Sequence, residues 1–120
     1  MSKIEFSMVR MMQRTWRMKI RSFLQGQDSL PEEEAYSFRD CEFGKWLYSE
    51  GMVKYGKIPE MKEIEKIHIH LHHNVKKNKH IREKKLFFEA EKSLQKIEEL
   101  AQEMMYLLNV VEKKASEEIE

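Results

Sequence analysis

From residue 86 to residue 111, apolar side chains recur at Leu86, Ala90, Leu94, Ile97, Ala101, Met104, Leu108 and Val111, in steps of four and three. Such steps keep side chains on one face of an α-helix, whereas a strand would alternate them. A stripe this long can be buried only against other helices. A second stripe, Val9, Gln13, Trp16, Ile20 and Phe23, has the same spacing near the N-terminus. With two prolines and four glycines in 120 residues, little in the chain interrupts a helix. The expected fold is all-α, an antiparallel four-helix bundle with an irregular second helix around Cys41–Gly44. It forms a single domain over residues 1–120.

Local signals divide the chain. The first helix is expected over about residues 4–24, with Met8, Met11, Met12 and Met18 broadening its apolar face and Gly26 capping its end. Pro31 followed by Glu32, Glu33 and Glu34 marks a helix start, because acids complement the positive end of the helix dipole. That helix is interrupted or restarted near Cys41–Gly44 and is expected to end at Ser49, Glu50 and Gly51. A loop through Gly56, Lys57 and Ile58 leads to Pro59, in the first turn of the third helix. The fourth helix is expected over about residues 86–114.

The net charge of +1 hides an asymmetry. Residues 1–30 hold six Lys/Arg against Glu5 and Asp28, while residues 98–120 hold seven Glu against Lys113 and Lys114. First and last helices are neighbours in an up-down bundle, so these charges should face one another. Lys76, Lys77, Lys79, Arg82, Lys84 and Lys85 form a basic run, but no aromatics are interleaved to stack on bases. It reads as a solvated helix end, with neither nucleic acid nor membrane as partner.

No apolar segment approaches the roughly 20 residues needed to span a bilayer. Arginines at 10, 14, 17 and 21 exclude a signal peptide, and a lone cysteine suits a reducing compartment. A cytoplasmic protein is expected. No nucleophilic triad or Gly-rich phosphate loop is present, so the chain is not read as an enzyme. Without an effector domain after Met1, it reads as a stand-alone module or a piece of a larger protein.

The residues that carry chemistry are few. Cys41 is the only cysteine, within Asp40-Cys41-Glu42-Phe43-Gly44-Lys45-Trp46. Gly44 between aromatics suggests a helix start whose backbone lies close to a neighbour. His68 and His72, four apart on a helix, project from one face with Met61, Ile64, Leu71 and Val75. By the same angular rule His70 points away, and His73 and His80 lie off the stripe. Thiolate and imidazole are zinc ligands. Buried imidazoles also need polar partners for other reasons, so spacing alone leaves a metal site and a structural hydrogen-bond pair both open. Gln13 lies in the apolar stripe beside Trp16 and would also need a partner there.

These residues resemble the chemoreceptor zinc-binding domain family. The stretch Cys41-Glu42-Phe43-Gly44-Lys45-Trp46 is similar to the family's Cys-x-Phe-Gly-Lys/Arg-Trp signature. His68 and His72 match its His-x-x-x-His spacing, and Trp16 resembles the tryptophan on its first helix. The likeness covers about residues 9–80. It implies a four-helix bundle holding zinc through one Cys and three His. It also implies a regulatory module of bacterial signalling, often dimeric, linked to chemotaxis and to zinc or redox sensing. By position Cys41, His68 and His72 correspond to three ligands. The fourth, a His three residues before the tryptophan, is replaced by Gln13. The resemblance therefore implies a Cys-His-His site completed by Gln13 or water, or a bundle that has lost its metal. Phe43, Gly44, Trp16 and Trp46 would pack around it, and a signalling protein, or a second copy in a homodimer, would be the partner.

Overall fold

The computed structural model describes residues 2–27 and 29–119, with side chains over 4–27 and 29–117. Three long helices dominate: α1 (Ser2–Leu24), α5 (Pro59–Glu83) and α6 (Phe87–Ile119). Between α1 and α5 the chain makes shorter pieces, α2 (Glu32–Tyr36), α3 (Glu42–Trp46), a π-helical turn (Leu47–Gly51) and α4 (Met52–Tyr55). The fold is all-α, and no strand occurs among the described residues. The expected second helix is thus split, with residues 37–41 outside any helix.

α5 and α6 form a long antiparallel hairpin, and α1 lies along α6. The stripe of α1 is buried at Val9, Gln13, Trp16, Ile20 and Phe23, joined by Phe6. The stripe of α6 is buried from Ala90 to Val111. The expected charge complement is present: Arg10 meets Glu112 at 2.6 Å, and Arg17 and Arg21 both reach Glu98 at 3.1 and 3.0 Å.

Three expectations need correction. Met8, Met11 and Met18 do not broaden the core face, because they lie on exposed parts of α1, and only Met12 is half-buried. The first three sit about 100° or more around the helix from the buried stripe. Ser49, Glu50 and Gly51 do not end a helix, since the π turn runs directly into α4. Gly51 answers a packing need instead: a Cβ there would lie 2.8 Å from the Trp46 ring. Leu86 is not the first residue of the α6 stripe. It is exposed and belongs to the turn that closes α5.

Candidate metal centre

Each donor is placed by a different local device. Cys41 caps the N-terminus of α3 with extended backbone (φ −73°, ψ 158°), and its Sγ accepts the Gly44 N–H at 3.2 Å. Gly44 is required here, because any Cβ would collide with the Phe38 carbonyl oxygen. The glycine thus lets α3 start against the preceding loop and hold the sulfur inward. His68 and His72 stand one turn apart on the buried face of α5, and their rings meet edge-on at 4.7 Å.

The three side chains converge. Cys41 Sγ lies 3.3 Å from His68 Nε2, which lies 3.1 Å from His72 Nε2. Ligand atoms of all three fall within 4.8 Å of one another, and all three residues are buried. His72 Nδ1 lies 2.9 Å from the Ala35 carbonyl, an acceptor only, so that nitrogen carries the proton and Nε2 keeps a lone pair facing the cluster. Phe43 flanks His68 at 4.9 Å, and Trp16 flanks His72 at 4.9 Å. The Trp16 indole also donates to the Glu34 carbonyl at 3.0 Å, tying α1 to α2. Trp46 packs on Phe43 at 5.8 Å, one layer further out.

Electrically the cluster is neutral. Burial pushes the Cys41 thiol up to about 11, although the Gly44 N–H acts the other way. Burial holds His68 well below the ordinary imidazole value, with His72 adding to the effect. Burial likewise lowers His72 to about 4. Neutral imidazoles are the metal-binding form, and a thiol gives up its proton to a metal.

The donor set fits a zinc ion. Tetrahedral zinc, with Zn–N about 2.0 Å and Zn–S about 2.3 Å, spaces its ligand atoms ~3.3–3.6 Å apart. The spacings of 3.1 and 3.3 Å at His68 Nε2 lie close to that. Two polar atoms beside the cluster, His68 Nδ1 and Gln13 Oε1, are buried with no partner. If His68 Nε2 carries its proton, Nδ1 is a buried bare acceptor. If Nδ1 carries it, two Nε2 lone pairs face each other. Either tautomer leaves an unmet need.

Gln13 is 1% exposed and sits on α1 one turn before Trp16, whose ring touches His72. His70, His73 and His80 face solvent, as their angular positions predict. Sequence reasoning missed the Ala35 carbonyl, since every residue carries one and only the tertiary fold selects it. It also missed Glu5, whose carboxylate accepts from Trp46, Lys54 and Tyr55 at 3.0, 3.1 and 2.6 Å and clamps α1 to the Cys motif region.

A family model for the chemoreceptor zinc-binding domain matches residues 14–79, more than half of the chain and a span that includes Cys41, His68 and His72. Comparison with curated proteins and with solved structures returns no match. The span begins one residue after Gln13, and it ends where α5 leaves the core for the bend into α6. The signature cysteine with its glycine, the histidine pair and the family match agree on one identification: the chain belongs to the chemoreceptor zinc-binding domain family.

Proposed function

We propose that this protein is a regulatory module that holds one zinc ion through Cys41, His68 and His72 and signals by a change in helix packing. The observation that carries this reading is the convergence of three neutral donors at 3.1 and 3.3 Å, with the His72 tautomer set by Ala35. Gln13 or a water completes the site; an amide oxygen is a weaker zinc ligand than imidazole. The competing reading, a metal-free structural bundle, leaves Gln13 Oε1 buried and unpaired, a cost of about 1–3 kcal/mol.

Bound zinc would supply charge that keeps Cys41 as thiolate, the oxidisable form. Cys41 lines a cavity of about 40 Å³ whose other walls include the exposed Thr15, Lys19 and Glu42. This is room for water or a small oxidant. Oxidation of the thiolate to sulfenic acid would remove one ligand and free α3 to move relative to α5. The role is regulatory rather than catalytic, and the output passes to a signalling protein by contact.

Elemental analysis of chelator-free protein tests the reading. About one zinc per chain, taken up again after stripping, is the expected result. No metal as purified and none after zinc titration would leave the structural bundle as the function. Sensing is tested separately by adding mild oxidant, which should release zinc, with reductant restoring binding. Zinc retained over an unmodified Cys41 would exclude the redox role and leave zinc sensing.

A further inference from the structure

The bend between α5 and α6 has an unusual surface. Residues 76–92 carry seven Lys/Arg and three Glu, a net +4 in a chain whose total is +1. Lys76, Lys77, Lys84 and Lys85 are exposed and form no ion pair among the described residues. At the centre of these charges three consecutive large apolar residues stand in solvent: Leu86 at 46%, Phe87 at 59% and Phe88 at 72% exposure. Isolated exposed apolar residues are ordinary, but a contiguous group within a basic field marks an interaction surface.

The tip is also firmly built. α5 closes through Lys85 N–H to the Arg82 carbonyl at 2.9 Å and Leu86 N–H to the Ile81 carbonyl at 3.3 Å. This is the Schellman pattern, in which the penultimate residue takes left-handed backbone. α1 closes by the same two bonds and uses Gly26 (φ 92°), whereas α5 places Lys85 there (φ 61°). A side chain in that conformation is disfavoured, yet a lysine occupies it at the apex. Beneath the apex, Asn78 is fully buried, donates to the Ala90 carbonyl at 2.7 Å and accepts from Arg82 at 2.7 Å. The two helices are thereby pinned just below the phenylalanines. Glu98, where Arg17 and Arg21 tie down the last turns of α1, lies about 16 Å along α6 from Phe87. α1 therefore leaves the apex uncovered.

We propose that this tip docks on an anionic phospholipid surface, with Leu86, Phe87 and Phe88 entering the headgroup boundary and the four lysines lying over lipid phosphates. The apolar side chains diverge over the tip. Leu86 lines a groove on one flank with Lys76, Lys77, Ile81 and Lys84, while Phe88 lines the other flank, where Arg21 and Lys92 are balanced by Glu91 and Glu98, so the net positive charge lies on the Leu86 side. A folded partner would need separate pockets for each, but a fluid interface accepts them without shape matching. Unpaired lysines complement anionic headgroups, and apolar insertion supplies the second of the two signals that stable anchoring requires. The lysine run by itself reads as a solvated helix end; Phe87 and Phe88 beside it change that reading.

Co-sedimentation with phosphatidylcholine vesicles, with and without phosphatidylglycerol, tests the proposal. The full chain should pellet with the anionic vesicles, stay in solution with the neutral ones, and be released by high salt. Phe87→Ser with Phe88→Ser should weaken pelleting about tenfold or more at unchanged charge. Lys84→Gln and Lys85→Gly should each weaken it about fivefold, the second at a position where glycine keeps the turn. Met11→Ser with Met18→Ser, on the exposed face of α1, should change nothing. Circular dichroism confirms that each variant is folded. Equal pelleting by the Phe double variant would reduce the effect to charge adsorption and overturn the proposal. Failure to pellet while binding polyglutamate or duplex DNA would reassign the tip to a soluble polyanion, with the same consequence.

Discussion

Around His68 the protein buries polar groups among apolar ones; at the α5–α6 bend it exposes apolar groups among charges. Both arrangements oppose the usual partition, and both lie on α5 or its immediate continuation. They differ in what compensates. The interior cluster is surrounded by Phe43, Trp16 and the Ala35 carbonyl, so its donors are oriented and neutral. The tip has no such cover, and Lys76, Lys77, Lys84 and Lys85 stand exposed. The interior therefore suits a ligand small enough to be enclosed, and the tip suits a surface too large to enclose. Electrostatic effects follow the same division: burial shifts Cys41, His68 and His72 strongly, whereas charges at the tip act through a solvent that salt can screen.

The largest expected effect would break the interior half of the contrast. Cys41→Ala should lower zinc affinity by about a hundredfold or more, since it removes a charged ligand. His70→Ala and His73→Ala, on the solvent side of the same helix, should leave it unchanged. Competition with a zinc chelator measures all three, and equal losses would mean that the cluster does not hold the metal.

Gly44→Ala should come next, lowering stability by about 2–3 kcal/mol in thermal melts, because a methyl group meets the Phe38 carbonyl oxygen in a packed interior. The melt is to be done without zinc, so that geometry and metal binding are read separately. Gln13→His should then raise zinc affinity about tenfold by offering an imidazole where an amide stands. No change would show that residue 13 does not reach the metal.

Glu5 supplies a pH test at the edge of the buried region. Burial alone would raise its pKa, but hydrogen bonds from Tyr55, Trp46 and Lys54 outweigh this and leave it lowered. A lowered folded value means stability that is present above the unfolded pKa, about 4.3, and lost as pH falls through the folded one. Acid titration of the melting temperature should therefore be flatter below that pH in Glu5→Gln than in the wild type. The smallest effect is at the tip: Lys85→Gly should raise stability by about 1 kcal/mol by relieving left-handed backbone, even as it weakens vesicle binding.

Helical periodicity made much of this molecule legible in advance. The stripes of α1 and α6, the inward pair His68 and His72, and the charge match between the first and last helices all follow from side-chain direction on a helix, which is local. The glycine of the Cys motif was legible for a similar reason, because aromatic neighbours announced a close approach. What the sequence left undecided depended on neighbours distant in the chain. Met11 was legible by the same angular rule, which sets it on the far side of α1 from the buried stripe, but apolar character alone draws it into the core face. Gly51 reads as a helix end until the Trp46 ring is seen against it. Likewise Asn78 is an ordinary polar residue in a lysine run until the Ala90 carbonyl is found 2.7 Å away. Residue order and helical period dictate which side chains can share a face, whereas which faces meet depends on packing between segments far apart in the chain.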